Sequence, residues 1–268
     1  MSSTDSVFAG SIPAIYDRFM VPLLFQPYAE AAAKRAQALK PSRILETAAG
    51  TGVLTEALHR ALPDALMIAT DLNQPMLVEA ARRVRAPNVT FREADALDLP
   101  FDDESFDLVA CQFGVMFFPD KVKGNSEARR VLRDGGHYLL VIWDEIARNL
   151  ATRAAGAAVA QLFPDDSAAF YERIPFRYHD RALIERDLRA AGFSAIKIET
   201  VELRSRAASA GDVAIGMIQG TPMRSEIEKR GPEALAAATE AAEQALRQFV
   251  TPDGFDAPMS AHIVTATK

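Results

Sequence analysis

The 268-residue chain has few of the residues and patterns that would indicate a disulfide framework, a metal centre or a membrane protein. Its single cysteine, Cys111, cannot form an internal disulfide, and its four histidines show no metal-ligand spacing. No apolar run approaches the ~18 residues that span a bilayer, and the first ten residues lack the basic and apolar regions of a signal peptide. These absences predict a soluble, cytoplasmic protein with no bound metal and no membrane span.

An excess of positive charge is also missing. The chain has 30 Lys and Arg against 36 Asp and Glu, a net charge of -6, which is the wrong sign for binding a phosphate backbone. A nucleic-acid partner is therefore not predicted. With 49% hydrophobic and 25% charged residues the composition is that of a globular chain, and the length allows one large domain or a core with a cap.

Short β-rich runs alternate with helical patterns over the first half of the chain. Such alternation is typical of a parallel sheet with crossover helices, whose strands are apolar throughout because both faces are covered. The predicted strands of this half span residues 43–47, 66–70, 89–93, 106–111 and 136–143. Two further strands are predicted at 195–204 and 260–267.

The helical patterns predict both crossover helices and a cap. Asn73 and Asp180 are predicted to N-cap helices, and Gly192 to end the second of them. Longer helical segments are expected to form an N-terminal cover at 1–38 and two cap insertions in a core that spans 39–268. The predicted insertions occupy residues 145–178 and 207–256, and all three segments should cover the carboxyl edge of the sheet.

The most informative stretch runs from Ile44 to Gly52, where a strand enters a turn of small residues that opens a helix. Ligands of open parallel sheets bind outside the carboxyl ends of the strands, and Gly50 and Gly52 let the backbone approach a ligand closely. The turn matches only half of the dinucleotide fingerprint, because the third small residue is missing. Taken alone, it leaves a cofactor site and a merely tight connection both open.

Two acidic residues follow neighbouring strands of the predicted sheet. Asp71 ends the second strand and Asp95 follows the third, so both belong to the same rim. A carboxylate at the tip of the second strand can accept hydrogen bonds from both hydroxyls of an adenosine ribose, and Asp95 can accept one from the adenine amino group. The alternatives are a helix-entry residue for Asp71 and a turn former for Asp95.

In this order the motifs resemble those of the class I S-adenosylmethionine-dependent methyltransferases, especially the branch of quinone-biosynthesis and small-molecule methyltransferases. The resemblance covers about residues 40–145. The family's first motif, an acid followed by Gly-x-Gly-x-Gly, lies on Glu46 to Gly52, with Ala48 in the first glycine place. We expect Ala48 to keep a negative φ. The segments 99–107 and 130–136 also match this branch.

The resemblance implies a Rossmann-like α/β sandwich of seven strands, mostly parallel with an antiparallel last strand, and a helical cap. It also implies S-adenosylmethionine as cofactor, with S-adenosylhomocysteine as product. Asp71 is placed on the ribose, Leu72 against the adenine ring, Asp95 on the adenine amino group, and the Ala96 amide on a ring nitrogen. The full set of implied cofactor-binding residues is Tyr16, Glu46, Ala48, Ala49, Gly50, Gly52, Asp71, Leu72, Met76, Asp95, Ala96 and Gln112.

Glu46 discriminates between this interpretation and a nicotinamide-dependent oxidoreductase. An acid just ahead of the glycines would repel a pyrophosphate but suits the ammonium and sulfonium of S-adenosylmethionine. A non-catalytic S-adenosylmethionine-binding protein is the second alternative. No catalytic residue is assigned, since a base is optional in direct displacement and His179, the best-placed histidine, is more typical of a surface loop. Whether a general base is used is left open.

The methyl acceptor is predicted to be a small, largely apolar or aromatic molecule, because the segments expected around the sulfur are rich in Phe and Met. The side chains that carry this prediction are Phe113, Met116, Phe117, Phe118, Trp143, Phe163, Phe170, Tyr171, Phe176, Met217 and Met223. Packing between cap and core is the alternative role of each. The sequence leaves open the methylated atom, the pathway and the oligomeric state.

Overall fold

The computed structural model describes residues 12–164 and 170–268. Its α-helices are α1 Ile12–Ile15, α2 Gln26–Leu39, α3 Val53–Ala61, α4 Gln74–Arg83, α5 Lys121–Val131, α6 Leu150–Leu162, α7 Phe170–Arg173, α8 Arg181–Ala190, α9 Ala210–Gln219, α10 Met223–Glu228 and α11 Ala234–Leu246. A π-helix, Tyr16–Phe25, joins α1 to α2.

The strands form one sheet. They are β1 Arg43–Thr47, β2 Leu66–Asp71, β3 Val89–Glu93, β4 Phe106–Gln112, β5 Leu132–Trp143, β6 Ala195–Ala207, β7 Val250–Thr251 and β8 Gly254–Thr267. Seven lie in the order β3-β2-β1-β4-β5-β8-β6, and β7 pairs with β8. Strands β1 to β5 pair in parallel, and β8 runs antiparallel to β5.

This topology confirms the predicted fold class. The chain winds outward from β1 through β2 to β3, then returns to the other side of β1 with β4. Such a reversal of strand order leaves a crevice at the carboxyl ends of β1 and β4, where ligands of doubly wound sheets bind. Glu46 of β1 lies in register with Ala69 of β2 and Ala110 of β4, so the three strand ends meet at this point.

Two strands begin earlier than predicted. Strand β5 begins at Leu132 rather than at 136, because Leu132 pairs with Phe106 ahead of a register irregularity in β4. Strand β8 begins at Gly254 rather than at 260, because a tight turn at Pro252 and Asp253 folds β7 back onto β8. The prediction that the insertion 207–256 is helical to its end is therefore wrong for the β7 and β8 residues.

The chain forms two compact units, which share β6 and β8 along the sequence. The larger unit contains residues 28–143, 178–201 and 261–268, and its core is built on the apolar strands β1, β4 and β5. In the smaller unit, which contains described residues 12–27, 144–177 and 202–260, α9 packs on α11 and on the π-helix.

The proposed domain division, with its cover of the carboxyl edge, stays a prediction. Residues 1–11 and 165–169 of the predicted helical segments lie outside the described residues. Across 12–164 and 170–268, no helix has both the length and the apolar character that crossing a membrane requires. Nor do these residues bring together three or more side chains able to hold a metal ion.

Candidate functional site

The turn between β1 and α3 contains three residues in the left-handed region. Their φ angles are +54° at Ala48, +56° at Gly50 and +80° at Gly52. The expectation that Ala48 keeps a negative φ is therefore wrong. The Ala49 amide donates a 2.9 Å hydrogen bond to the Thr70 carbonyl at the end of β2, so the chain must turn sharply at Ala48. An alanine accepts this conformation at a cost of roughly 1–2 kcal/mol.

Gly52 is required by close packing as well as by its backbone angle. It is the N-cap of α3, and a Cβ placed on it would lie 2.9 Å from Cβ of Ala80 on α4. Any side chain here would push α3 and α4 apart. The small residues of the turn thus bring two helix N-termini to the same edge of the sheet.

Asp71, at the end of β2, holds the turn in place. Its Oδ2 accepts a hydrogen bond of 2.9 Å from the Gly50 amide, and its Oδ1 accepts one of 2.8 Å from the Asn73 amide. The Asn73 side chain also donates to Oδ1, at 3.2 Å, and does not cap α4 as predicted from the sequence. Helix α4 does begin directly after Asn73.

Glu46 is buried at the end of β1, with 3% of its surface exposed. Its Oε2 accepts a hydrogen bond of 2.6 Å from the Thr55 hydroxyl on α3. Burial raises the pKa of Glu46 to about 8, and the negative charge of nearby Asp71 raises it further, against the lowering effect of the Thr55 bond. Burial likewise raises the pKa of Asp71, although backbone hydrogen bonds from Asn73 and Gly50 oppose the shift.

Glu46 and Asp71 therefore form a buried acidic pair. No lysine, arginine or histidine side chain makes an ion pair with either carboxylate in the described part of the chain. Two neighbouring carboxylates in a low-dielectric site repel each other, and a cationic ligand relieves that repulsion. A polyphosphate would add to it.

Beside Asp71 lies an apolar side chain in contact with solvent. Leu72 is 59% exposed, although the last three residues of β2, directly before it, are buried. Across the rim, Asp95 follows β3 and is exposed, with its Oδ1 accepting a 2.9 Å hydrogen bond from the Leu97 amide. Ala96 is half-buried within the same turn. This set presents an apolar side chain and an open carboxylate on one edge.

The remaining predicted residues are divided between the two units. Met76 of α4 is buried, and its Cε would lie 3.9 Å from a Cβ placed on Gly50. Gln112 is buried at the end of β4. Tyr16 lies in the smaller unit, where it begins the π-helix and stacks on Phe25 at 4.9 Å. The cofactor roles of all twelve residues stay predictions.

An aromatic cluster follows β4 and ends β5. Phe113 stacks on Trp143 with ring centroids 3.9 Å apart, and Tyr28 contacts both rings edge-on. Phe113 has a φ of +53°, a conformation that a bulky side chain adopts only where its surroundings fix it. Here its amide donates to the Val141 carbonyl at 2.8 Å. The sequence predicted Phe113 and Trp143 at this rim but gave no sign of Tyr28.

His262 has a structural role in the larger unit. His262 is buried, with its ring nitrogens 3.0 Å from the Thr200 hydroxyl and 3.0 Å from the His179 carbonyl. It therefore orders the loop that precedes α8 instead of facing a ligand.

Thr55, which donates to Glu46, is the residue of this site that sequence reasoning missed. The signal was available, because a hydroxyl three residues after Gly52 falls on the first turn of α3.

Comparison with known proteins finds similarity to methyltransferases. A family model described as a methyltransferase domain matches residues 44–136. A demethylmenaquinone methyltransferase of Clavibacter sepedonicus is 34% identical over 166 residues, which cover 58% of this chain and 66% of that relative. A ubiquinone/menaquinone biosynthesis C-methyltransferase of Stutzerimonas stutzeri is 29% identical over 206 residues, which cover 72% of this chain and 76% of that protein.

A solved structure of a putative methyltransferase from Bacillus halodurans has the same fold, with a TM-score of 0.58 at 20% identity over 89% of this chain and 98% of that one. Residues 44–136 therefore match a methyltransferase domain, and the chain is similar in sequence to methyltransferases of quinone biosynthesis and in fold to a methyltransferase. It spans 66% of the Clavibacter relative and less than half of four further demethylmenaquinone methyltransferases.

Proposed function

We propose that this protein transfers a methyl group from S-adenosylmethionine to a small, largely apolar or aromatic acceptor of the quinone type. The observation that carries the proposal is the buried pair Glu46 and Asp71 beside the turn of Gly50 and Gly52. The pair lies at the carboxyl ends of β1 and β2, where this class of sheet binds its ligands.

The residues of this site fit S-adenosylmethionine in charge and in shape. Its ammonium and sulfonium groups are both cationic, so they would favour the ionised form of Glu46 and relieve its repulsion by Asp71. Asp71 keeps lone pairs for ribose hydroxyls after accepting its backbone bonds, and exposed Leu72 offers an apolar surface for the adenine ring.

Other predicted residues complete the proposed site. Asp95 accepts a hydrogen bond from the adenine amino group with the oxygen not used by Leu97, and the Ala96 amide donates to a ring nitrogen. Gln112 lies toward the amino-acid end, and Tyr16 belongs to a segment that folds over the cofactor. The residues proposed to line the turn around the methionine part are Ala48, Ala49, Gly50, Gly52 and Met76.

The chain's part in the reaction is binding and alignment. S-adenosylmethionine supplies a methyl group already activated by its sulfonium. The acidic pair and the turn fix the donor, and the apolar residues at the rim hold the acceptor in line with it and exclude water. Alignment of this kind is worth about 7–11 kcal/mol. No general base is assigned.

The nature of the acceptor is supported by the rim and by the relatives. Phe113 and Trp143 form a stacked aromatic pair in the larger unit. The smaller unit contains a separate group of buried aromatic and methionine side chains, in which the Tyr171 hydroxyl donates to the Met217 carbonyl at 2.6 Å. The curated relatives are named for menaquinone and ubiquinone biosynthesis. A small-molecule acceptor, no nucleic-acid partner and a cytoplasmic location belong to this proposal.

Two experiments test it. Calorimetric titration with S-adenosylmethionine, S-adenosylhomocysteine and NAD should give binding of the first two only. Turnover is then assayed on a panel of demethylated quinones, phenols and heterocycles, with tRNA and protein as contrasting acceptors. Binding of NAD alone would support the oxidoreductase instead. Binding of the donor without turnover on any acceptor class would support a non-catalytic binding protein, and turnover on tRNA or protein alone would refute the small acceptor.

A further inference from the structure

Arg130, near the end of α5, uses every N–H of its guanidinium within the protein. Its Nη1 donates to the Phe101 carbonyl at 2.7 Å and to Asp103 at 2.8 Å. Its Nη2 donates to the Leu99 carbonyl at 2.9 Å and to Glu127 at 2.8 Å, and its Nε donates to Glu127 at 2.8 Å. A guanidinium has five N–H donors, so none is left over.

Glu127 completes this arrangement, which we name the Arg130 clamp (Arg130 and Glu127 with the segment 99–103). The Leu99 amide donates to Oε2 of Glu127 at 2.8 Å. Leu99 is thereby held at both its N–H and its C=O by side chains of one helix, and its own side chain is buried. The clamp fixes the backbone at Leu99 to the rigid α5.

Two hydrogen bonds fold the residues just before Leu99 back onto Asp95 at the rim. The Asp98 amide donates to the Asp95 carbonyl at 3.1 Å, and the Leu97 amide donates to Oδ1 of Asp95 at 2.9 Å. Asp95 and Asp98 are otherwise exposed. The clamped Leu99 is thus joined through the adjacent Asp98 to the turn whose Leu97 amide orients the Asp95 carboxylate.

We propose that Arg130 is a positioning residue for adenine recognition, which sets the direction of Asp95 through the clamped loop. The inference rests on the proposed function, because it requires Asp95 to face the adenine amino group. Lysine cannot substitute for Arg130, since a point charge with three donors cannot make the forked pair with Glu127, the bond to Asp103 and the two carbonyl bonds at once.

The test compares two ligands that differ only at the group Asp95 would recognise. S-adenosylhomocysteine carries the amino group, whereas the analogue with unsubstituted purine in place of adenine carries a hydrogen there and leaves Asp95 without a donor. The wild type should prefer the adenosyl compound by about tenfold or more. Arg130→Lys should bring the ratio of the two dissociation constants to within about threefold of unity, measured by calorimetry well below the unfolding temperature.

Arg129→Lys is the matched control, because Arg129 lies on the same helix but donates to the Gly192 carbonyl in a different loop. It should keep the wild-type ratio. If Arg130 has a purely structural role, Arg130→Lys should weaken binding of both ligands equally and leave the ratio of their dissociation constants unchanged. That result would overturn the inference. Should Arg130→Lys fail to fold, Glu127→Gln is judged by the same ratio.

The outcomes also separate this inference from the proposed function. A wild type that binds neither compound overturns the proposed function, and this inference with it. A wild type with the adenosyl preference and an Arg130→Lys protein that retains that preference overturn the positioning role alone.

Discussion

The Thr55 hydroxyl donates a hydrogen bond of 2.6 Å to the buried carboxyl of Glu46, and no cation partners that carboxyl in the described residues. One neutral donor is little compensation for a buried charge. The pKa of about 8 therefore means that folded, ligand-free protein holds a proton on Glu46 at neutral pH.

This proton makes the stability of the ligand-free protein fall as pH rises. Between the unfolded pKa of 4.5 and the folded pKa of about 8, the unfolded chain releases a proton that the folded chain keeps. Glu46→Gln removes this penalty. The stability of the variant relative to wild type should therefore grow from pH 5 to pH 8, by on the order of 2–4 kcal/mol. Denaturant unfolding at several pH values measures it.

Glu56→Gln is the control for this experiment, because Glu56 lies on the same helix α3 but is exposed and paired with Arg83 at 3.0 Å. It should retain the wild-type pH dependence. Parallel stability curves for wild type and Glu46→Gln would show that Glu46 titrates normally.

Binding of the cationic donor should strengthen as pH rises from 6 to 8. Bound S-adenosylmethionine favours the ionised form of Glu46. At pH values below the folded pKa of Glu46, the dissociation constant therefore falls by up to about tenfold for each unit by which the pH rises. In Glu46→Gln, binding should be weaker and this part of the pH dependence lost. The ligand's own ammonium titrates in both proteins, so the difference between their profiles isolates Glu46. An unchanged profile in the variant would contradict the proposed charge interaction.

Asp71→Ala should weaken binding of S-adenosylmethionine by at least about tenfold, because two hydrogen bonds from ribose hydroxyls to a charged group are lost. The same change frees the Gly50 and Asn73 amides and lowers stability. The 2′-deoxyribose analogue separates the two effects. Wild type should discriminate against it, whereas the variant should bind both compounds alike. Equal discrimination by both proteins would exclude the ribose role.

Gly52→Ala should destabilise the protein by about 2–4 kcal/mol, because the new Cβ would lie 2.9 Å from Cβ of Ala80 and the residue would keep its φ of +80°. Gly135→Ala provides the comparison. Gly135 has a φ of +73°, but a Cβ added to it would meet no atom within 4 Å, so only the backbone cost applies. Equal losses in the two variants would mean that α3 and α4 separate at little cost.

The sequence predicted the strands that carry the site better than their surroundings. Strands β1 and β3 have the predicted bounds, because short runs rich in β-forming residues leave few other interpretations. The hairpin of β7 and β8 was missed, although Pro252, Asp253 and Gly254 are a turn signal, because the alanine-rich run before it favoured helix.

For the site, residue positions followed from the sequence but energetics did not. Asp71 and Glu46 stand at the ends of adjacent strands as the motif order predicted. The left-handed Ala48 and the bond from Thr55 to Glu46 depend on contacts with β2 and α3 that no local pattern records. The same holds for the Arg130 clamp, whose partners lie about 30 positions away along the chain.

Strand β8 has a consequence for how the protein is made. Residues 261–267 pair with 137–143 of β5, so this edge of β5 is covered by a segment translated more than a hundred residues after its partner. Until then β5 presents an unpaired apolar edge on the nascent chain, the kind of edge that recruits other strands. The larger unit thus completes its sheet only after β8 has been synthesised, and chaperone demand should follow the delay between synthesis of β5 and β8.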